Sequence, residues 1–114
     1  MNNWVIRFYT NSRGDELVQD FIRNQDKQTK SKISRSIDLI NKYGPDLGLP
    51  HSRYLGDGIY ELRIRGKNEV RIFYIIIVND LEVIFLHAFK KRTQKMPRRE
   101  YIIAKERRDI LTIL

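Results

Sequence analysis

The feature that most constrains this chain is a change of hydrophobic period near residue 58. Before it, apolar residues recur every three or four positions. Beyond it they alternate, in three runs at Ile59 to Arg65, Val70 to Val78 and Glu82 to Phe89. Alternation sends successive side chains to opposite faces of a strand. The links between the runs, Gly66-Lys67-Asn68 and Asn79-Asp80, are short, which favours antiparallel neighbours. This half of the chain reads as a three-stranded meander.

Ahead of the meander, Trp4-Val5-Ile6-Arg7-Phe8-Tyr9 is rich in aromatic and β-branched residues and reads as a first strand. Gly14-Asp15 then opens a helix with Asp15 as N-cap, and Leu17, Val18, Phe21 and Ile22 share one face. A second helix runs from about Asp26 to Tyr43. Ile33, Ile37 and Ile40 form its apolar stripe, and Gly44-Pro45 stops it. Pro45 to Asp57 reads as a loop. After the meander come a loop at Arg92 to Pro97 and a helix from about Arg98. The order β-α-α-β-β-β-α gives a single α+β domain over residues 1–114. Its expected form is a twisted antiparallel sheet with the helical hairpin on one face and the other face partly open.

Composition narrows the function. With 41% hydrophobic and 32% charged residues the chain is globular, and without cysteine it has neither disulfides nor thiolate zinc sites. The first residues lack a secretory signal pattern, and the longest apolar stretch, Ile72 to Val78, is too short to span a bilayer. A cytoplasmic protein with no membrane partner is expected. The net charge is +8, and it is uneven: Lys90 to Asp109 holds nine basic residues against three acidic ones. Such a surface attracts polyanions, nucleic acid above all. The plain alternative is a solvated basic helix and loop.

Alternation places Tyr60, Leu62 and Ile64 toward the helices, and Ile59, Glu61, Arg63 and Arg65 on the other face. Arg71 then lies on that outer face near the turn, with Phe73 beside it, and the third run ends in Lys90-Lys91. Convergent arginines and lysines suit phosphate, because the guanidinium gives fixed, bidentate, always-charged donors. The competing reading pairs these arginines with Glu61 and Glu69 across the strands. Of the two histidines, His51 sits in a polar loop and is a candidate proton carrier; His87 reads equally well as a packed or a catalytic residue. Their separation gives no metal signature. Phe73 is the aromatic placed to stack on a base, and Arg65, Lys95, Arg98, Arg99, Lys105 and Arg108 are further candidate nucleic-acid contacts. The apolar end, Ile110, Leu111, Ile113 and Leu114, either caps the core or leaves an edge for a partner.

The stretch GIYELRIRGKNEVRIFYIIIVNDLEVIFLHAFKKRTQKMP resembles the core of the RelE/ParE toxin superfamily, in particular its phage-type HigB-like branch, over about Pro50 to Ala104. The resemblance implies a RelE-like fold and a ribosome-dependent endoribonuclease that cuts mRNA in the decoding site, which would make the candidate nucleic-acid contacts RNA contacts. It also implies restraint by a helix-turn-helix antitoxin of the HigA-like kind. In such enzymes a 2′-hydroxyl attacks the adjacent phosphate, basic side chains stabilise the transition state, and no metal or other cofactor takes part. By position, Arg63 of YELR, Arg71 of RIFY and Lys90 and Lys91 of FKK match the family's basic site. The family's C-terminal tyrosine has no counterpart: its position falls near Met96-Pro97, and Tyr101 lies inside the last helix, so the general base is open. The rivals are a ParE-like toxin that poisons gyrase and an RNA-binding module of the same fold without activity.

Overall fold

The computed structural model describes residues 3–113. Strand β1 (Val5–Phe8) is followed by helices α1 (Leu17–Arg23) and α2 (Lys27–Tyr43), then β2 (Ser52–Gly56), β3 (Ile59–Ile64), β4 (Val70–Ile77), β5 (Glu82–Lys90) and helix α3 (Arg98–Ile113). The five strands lie in the order β1-β5-β4-β3-β2. Strands β2 to β5 form an antiparallel meander, and β1 joins β5 in parallel, so the sheet is mixed. The parallel pairing follows from the long connection through the helical hairpin, which lets β1 return to the far edge.

Local chemistry sets the helix ends. Asp26 accepts the Thr29 N–H at 2.7 Å and caps α2. Gly44 ends α2 at φ +54, and a Cβ there would strike the Trp4 indole. Trp4 is held there through its backbone, whose N–H donates to the Asn41 carbonyl at 3.0 Å and whose carbonyl accepts the Asn41 side-chain amide at 2.6 Å. Asp15 does not cap α1 as the sequence suggests: Glu16 flanks the helix without a side-chain cap, and Asp15 is bound to Asn11.

The expected loop from Pro45 to Asp57 contains the extra strand β2. It pairs with β3 through a tight Asp57-Gly58 turn in which both residues have positive φ. This is the backbone that Asp-Gly favours between twisted strands.

Two cores flank the sheet. On one face Leu62, Ile64, Val70, Ile72, Tyr74, Val83 and Phe85 pack on Val18, Ile33 and Ile40 of the helical hairpin, as the alternation predicts. Tyr54, Tyr60, Tyr74, Phe85 and Phe8 are register partners that form one aromatic rung across all five strands. On the other face Ile59, Phe73, Ile75, Leu86 and Phe89 are covered by α3, which contributes Ala104. Most of the face expected to lie open is thus closed, and only the end beyond Phe89 remains free of helix. That end carries the arginines.

Candidate functional site

Cross-strand register brings the basic residues together. Arg63 stands opposite Arg71, and Arg71 opposite Phe89. The next rung is extended by the Lys91 N–H, which donates to the Glu69 carbonyl at 2.8 Å. The result is a cleft of about 350 Å³ lined by Arg63, Arg65, Glu69, Arg71, Lys91, Arg92, Thr93 and Gln94. Five of these are basic and one is acidic. The loop after β5 closes one side, where the Lys91 ammonium donates to the Gln94 carbonyl at 3.3 Å.

The two arginines of the central rung are not equivalent. Arg71 is 2% exposed and forms the floor. Its Nη2 donates to Glu69 at 3.0 Å and its Nη1 to the Val70 carbonyl at 3.0 Å. Glu61, also 2% exposed, lies under the floor, 3.9 Å from Arg71 Nε, 3.6 Å from Arg63 Nε and 3.7 Å from Arg53. These are charge contacts longer than hydrogen bonds, and both Nε–H groups are buried without an acceptor. Arg63 retains 19% side-chain exposure and can reach a ligand. Burial lowers its guanidinium pKa, and the neighbouring Arg65 and Arg71 lower it further. Like charges held this close favour an incoming anion. Burial alone would raise the Glu69 carboxyl, but the Gly66 N–H and Arg71 outweigh it and hold it below its ordinary range.

The outward placement of Arg71 and Phe73 is therefore corrected. Both lie on the outer side of the sheet as expected, but neither is exposed: α3 covers Phe73, and Arg71 is sunk into the floor of the open end. Glu61 and Glu69 hold Arg71 down, and Phe73 is 0% exposed between Phe89 and Tyr101, out of reach of any base. Lys90 is also displaced from the site. It pairs with Val70, whose side chain belongs to the helical-hairpin core, so strand alternation parts it from Lys91. Lys90 lines a neighbouring groove with Lys67, Asn68, Glu69, Lys91 and Arg92.

His51 is exposed just before β2 and its carbonyl accepts the Arg63 N–H at 2.8 Å, yet it is not among the cleft-lining residues. His87 is a packing residue. A bulge places Phe73 opposite His87 and Tyr74 opposite Phe85, so Leu86 is the extra residue and simple alternation fails there. His87 turns toward α3, stacks on Phe89, meets Glu100 at 2.8 Å and receives Arg107 at 3.4 Å. Burial lowers its pKa more than Glu100 raises it.

The basic residues after the cleft divide in two. Lys95, Arg98 and Arg99 are exposed. Lys105 and Arg108 instead anchor α3 to the β2–β3 turn, Lys105 at 3.5 Å from the Asp57 carboxylate and Arg108 on the Asp57 carbonyl. Tyr101 donates to the same carboxylate at 3.0 Å. At the apolar end, Ile110 is exposed and Leu111 packs on the α3-side core; Leu114 lies outside the described residues. Sequence reasoning missed Arg92, Thr93 and Gln94, although Arg92 directly continues the Lys90-Lys91 run. Among the described residues no three histidine or acidic side chains come together to hold a metal.

The profile of a protein family described as phage derived protein Gp49-like matches residues 20–109 of the chain. Among solved structures, a double arginine-to-alanine mutant of the E. coli toxin RelE in the free state superposes with a TM-score of 0.64. The two share 13% sequence identity over 92% of this chain and 97% of that one, a likeness of fold. No curated protein sequence matches the chain.

Proposed function

This chain belongs to the phage-derived Gp49-like family and has the fold of RelE, and from that premise we propose that it is a HigB-like toxin that cleaves mRNA on the ribosome. The observation that carries the reading is the basic cleft: four reachable cations, Arg63, Arg65, Lys91 and Arg92, over a fifth in the floor. Phosphodiester cleavage by a neighbouring 2′-hydroxyl needs little else from a protein than a mould for the charge that develops. The hydroxyl loses its proton as its oxygen bonds to phosphorus. The P–O5′ bond then breaks, and the 5′ oxygen takes up a proton. Negative charge grows on the non-bridging oxygens between these steps, and fixed guanidinium donors stabilise it. Each such donor is worth about 3–4 kcal/mol when removed, or two to three orders of magnitude in rate.

A cytoplasmic nuclease of this kind requires restraint, and a helix-turn-helix antitoxin of the HigA-like type is the proposed partner. No helix among the described residues is long and apolar enough to cross a membrane.

One observation favours a second reading, an RNA-binding module without activity. No histidine or tyrosine lines the cleft, and its one carboxylate, Glu69, is engaged by Arg71 and the Gly66 N–H. Cleavage of mRNA in a translating extract separates the two, with a gyrase supercoiling assay run beside it. The nuclease reading expects cuts that persist in EDTA at levels sparing ribosomes and fall by about a hundredfold or more in Arg65→Ala and Lys91→Ala, which stay folded. Ribosome binding without cuts selects the module, and inhibition of supercoiling alone selects a gyrase poison.

A further inference from the structure

We propose that the groove beyond Lys91, lined by Lys67, Asn68, Lys90 and Arg92, is a second phosphate site, so that one RNA strand crosses the end of the sheet with adjacent phosphates in cleft and groove. This rests on the cleft being the RNA site. The two hollows, about 350 and 270 Å³, share Glu69, Lys91 and Arg92 as a common wall, so a ligand in one continues into the other. Lys90 ends β5 and lines the groove alone, Arg63 and Arg65 line the cleft alone, and Lys91, just past the strand, borders both, so the cations diverge from a shared wall. A repeating polyanion uses such a divergence, whereas a single phosphate engages only one of the two.

The groove is preformed. Asn68 donates to Asp26 at 3.0 Å and Thr29 at 3.3 Å, and Lys32 donates to the Arg65 carbonyl at 3.0 Å, which pins the β3–β4 turn to α2. Neither nearby acid opposes an anion strongly. Glu69 is bound by Arg71 and Gly66, and Asp26 is occupied by its helix cap. Lys67 and Lys90 are both exposed and make no hydrogen bond or salt bridge among the described residues, although Lys67 lies near enough to Asp26 to help lower its carboxyl pKa.

Titration of 2′-O-methyl oligonucleotides, which lack the attacking hydroxyl, tests this on the intact protein. A dinucleotide offers one phosphodiester and a tetranucleotide three. The wild type should bind the tetranucleotide on the order of tenfold more tightly, with a salt slope steeper by about 0.7 per added contact. Lys67→Ala/Lys90→Ala should bind the dinucleotide as the wild type does and lose the gain on the tetranucleotide, with an unchanged melting temperature. A variant that keeps the gain, or that loses affinity equally for both lengths, overturns the second site alone. A wild type that binds neither at low salt overturns the cleft reading and the groove with it.

Discussion

Arg71→Ala separates an arginine that serves substrate from one that holds the site together. The side chain is 2% exposed, donates to Glu69 and the Val70 carbonyl, and stands 3.9 Å from Glu61. Truncation leaves the buried Glu61 carboxylate with Arg63 at 3.6 Å and Arg53 at 3.7 Å, neither within hydrogen-bond distance. Breaking a buried ion pair from one side costs about 3–5 kcal/mol. A domain of this length has roughly 6–17 kcal/mol of stability in total, so the loss is a large fraction of it. At roughly 3–6 °C per kcal/mol the midpoint should drop by about 9–30 °C. The double variant Glu61→Gln/Arg71→Met removes both charges and should cost less than the sum of the single changes by about 1–3 kcal/mol. Thermal and urea unfolding of the wild type, Arg71→Ala, Glu61→Gln, Arg71→Met and the double variant measures this, with cleavage assayed at a temperature where each is folded. An Arg71→Ala protein with a wild-type midpoint and no cleavage would refute the reasoning, because the guanidinium would then be free to serve the substrate directly.

Three further variants test the rest of the molecule. Burial holds the His87 pKa in the fold below its ordinary value, so as pH falls through about 6.5 the unfolded chain takes up a proton before the folded one does. The His87 contribution to stability is therefore full above that pH, declines as pH falls toward the folded value, and levels off below it. His87→Gln should flatten that segment of a urea-midpoint series, and an unchanged slope would exclude His87 as its source. Arg98→Glu/Arg99→Glu should weaken ribosome co-sedimentation and flatten its salt dependence by about one unit per contact while leaving stability intact. Lys105→Glu/Arg108→Glu should instead speed amide exchange in α3, since these side chains hold Asp57; equal behaviour of the two variants would contradict the division.

Much of the site was legible because strand alternation is a strict rule. YELR and RIFY place Arg63 and Arg71 on one face of adjacent strands, and register makes them direct partners. Three things escaped for identifiable reasons. Strand β2 was hidden by glycines, although Asp57-Gly58 between Tyr54-Leu55 and Ile59-Tyr60 carries a hairpin signal. His87 reads equally as packed or catalytic in the sequence, and only the bulge at Leu86, which turns it toward α3, decides for packing. Phe73 was left exposed because nothing local says that α3 folds back over it.

The sequence by itself determined the order of every element except β2, the faces of the apolar residues in β3 and β4, and the concentration of positive charge after β5. These depend on periodicity and local turn chemistry, which act over a few residues. Tertiary structure decided which cations a ligand can reach. Arg63 and Arg71 have the same residue type, strand face and rung, yet one is partly open and the other is sealed. The difference comes from Glu69 and Val70, which bind the Arg71 guanidinium, and from Phe89 on its far side; Glu61 attends both arginines alike. Reach is a property of packing among residues distant in the chain, and no local pattern encodes it.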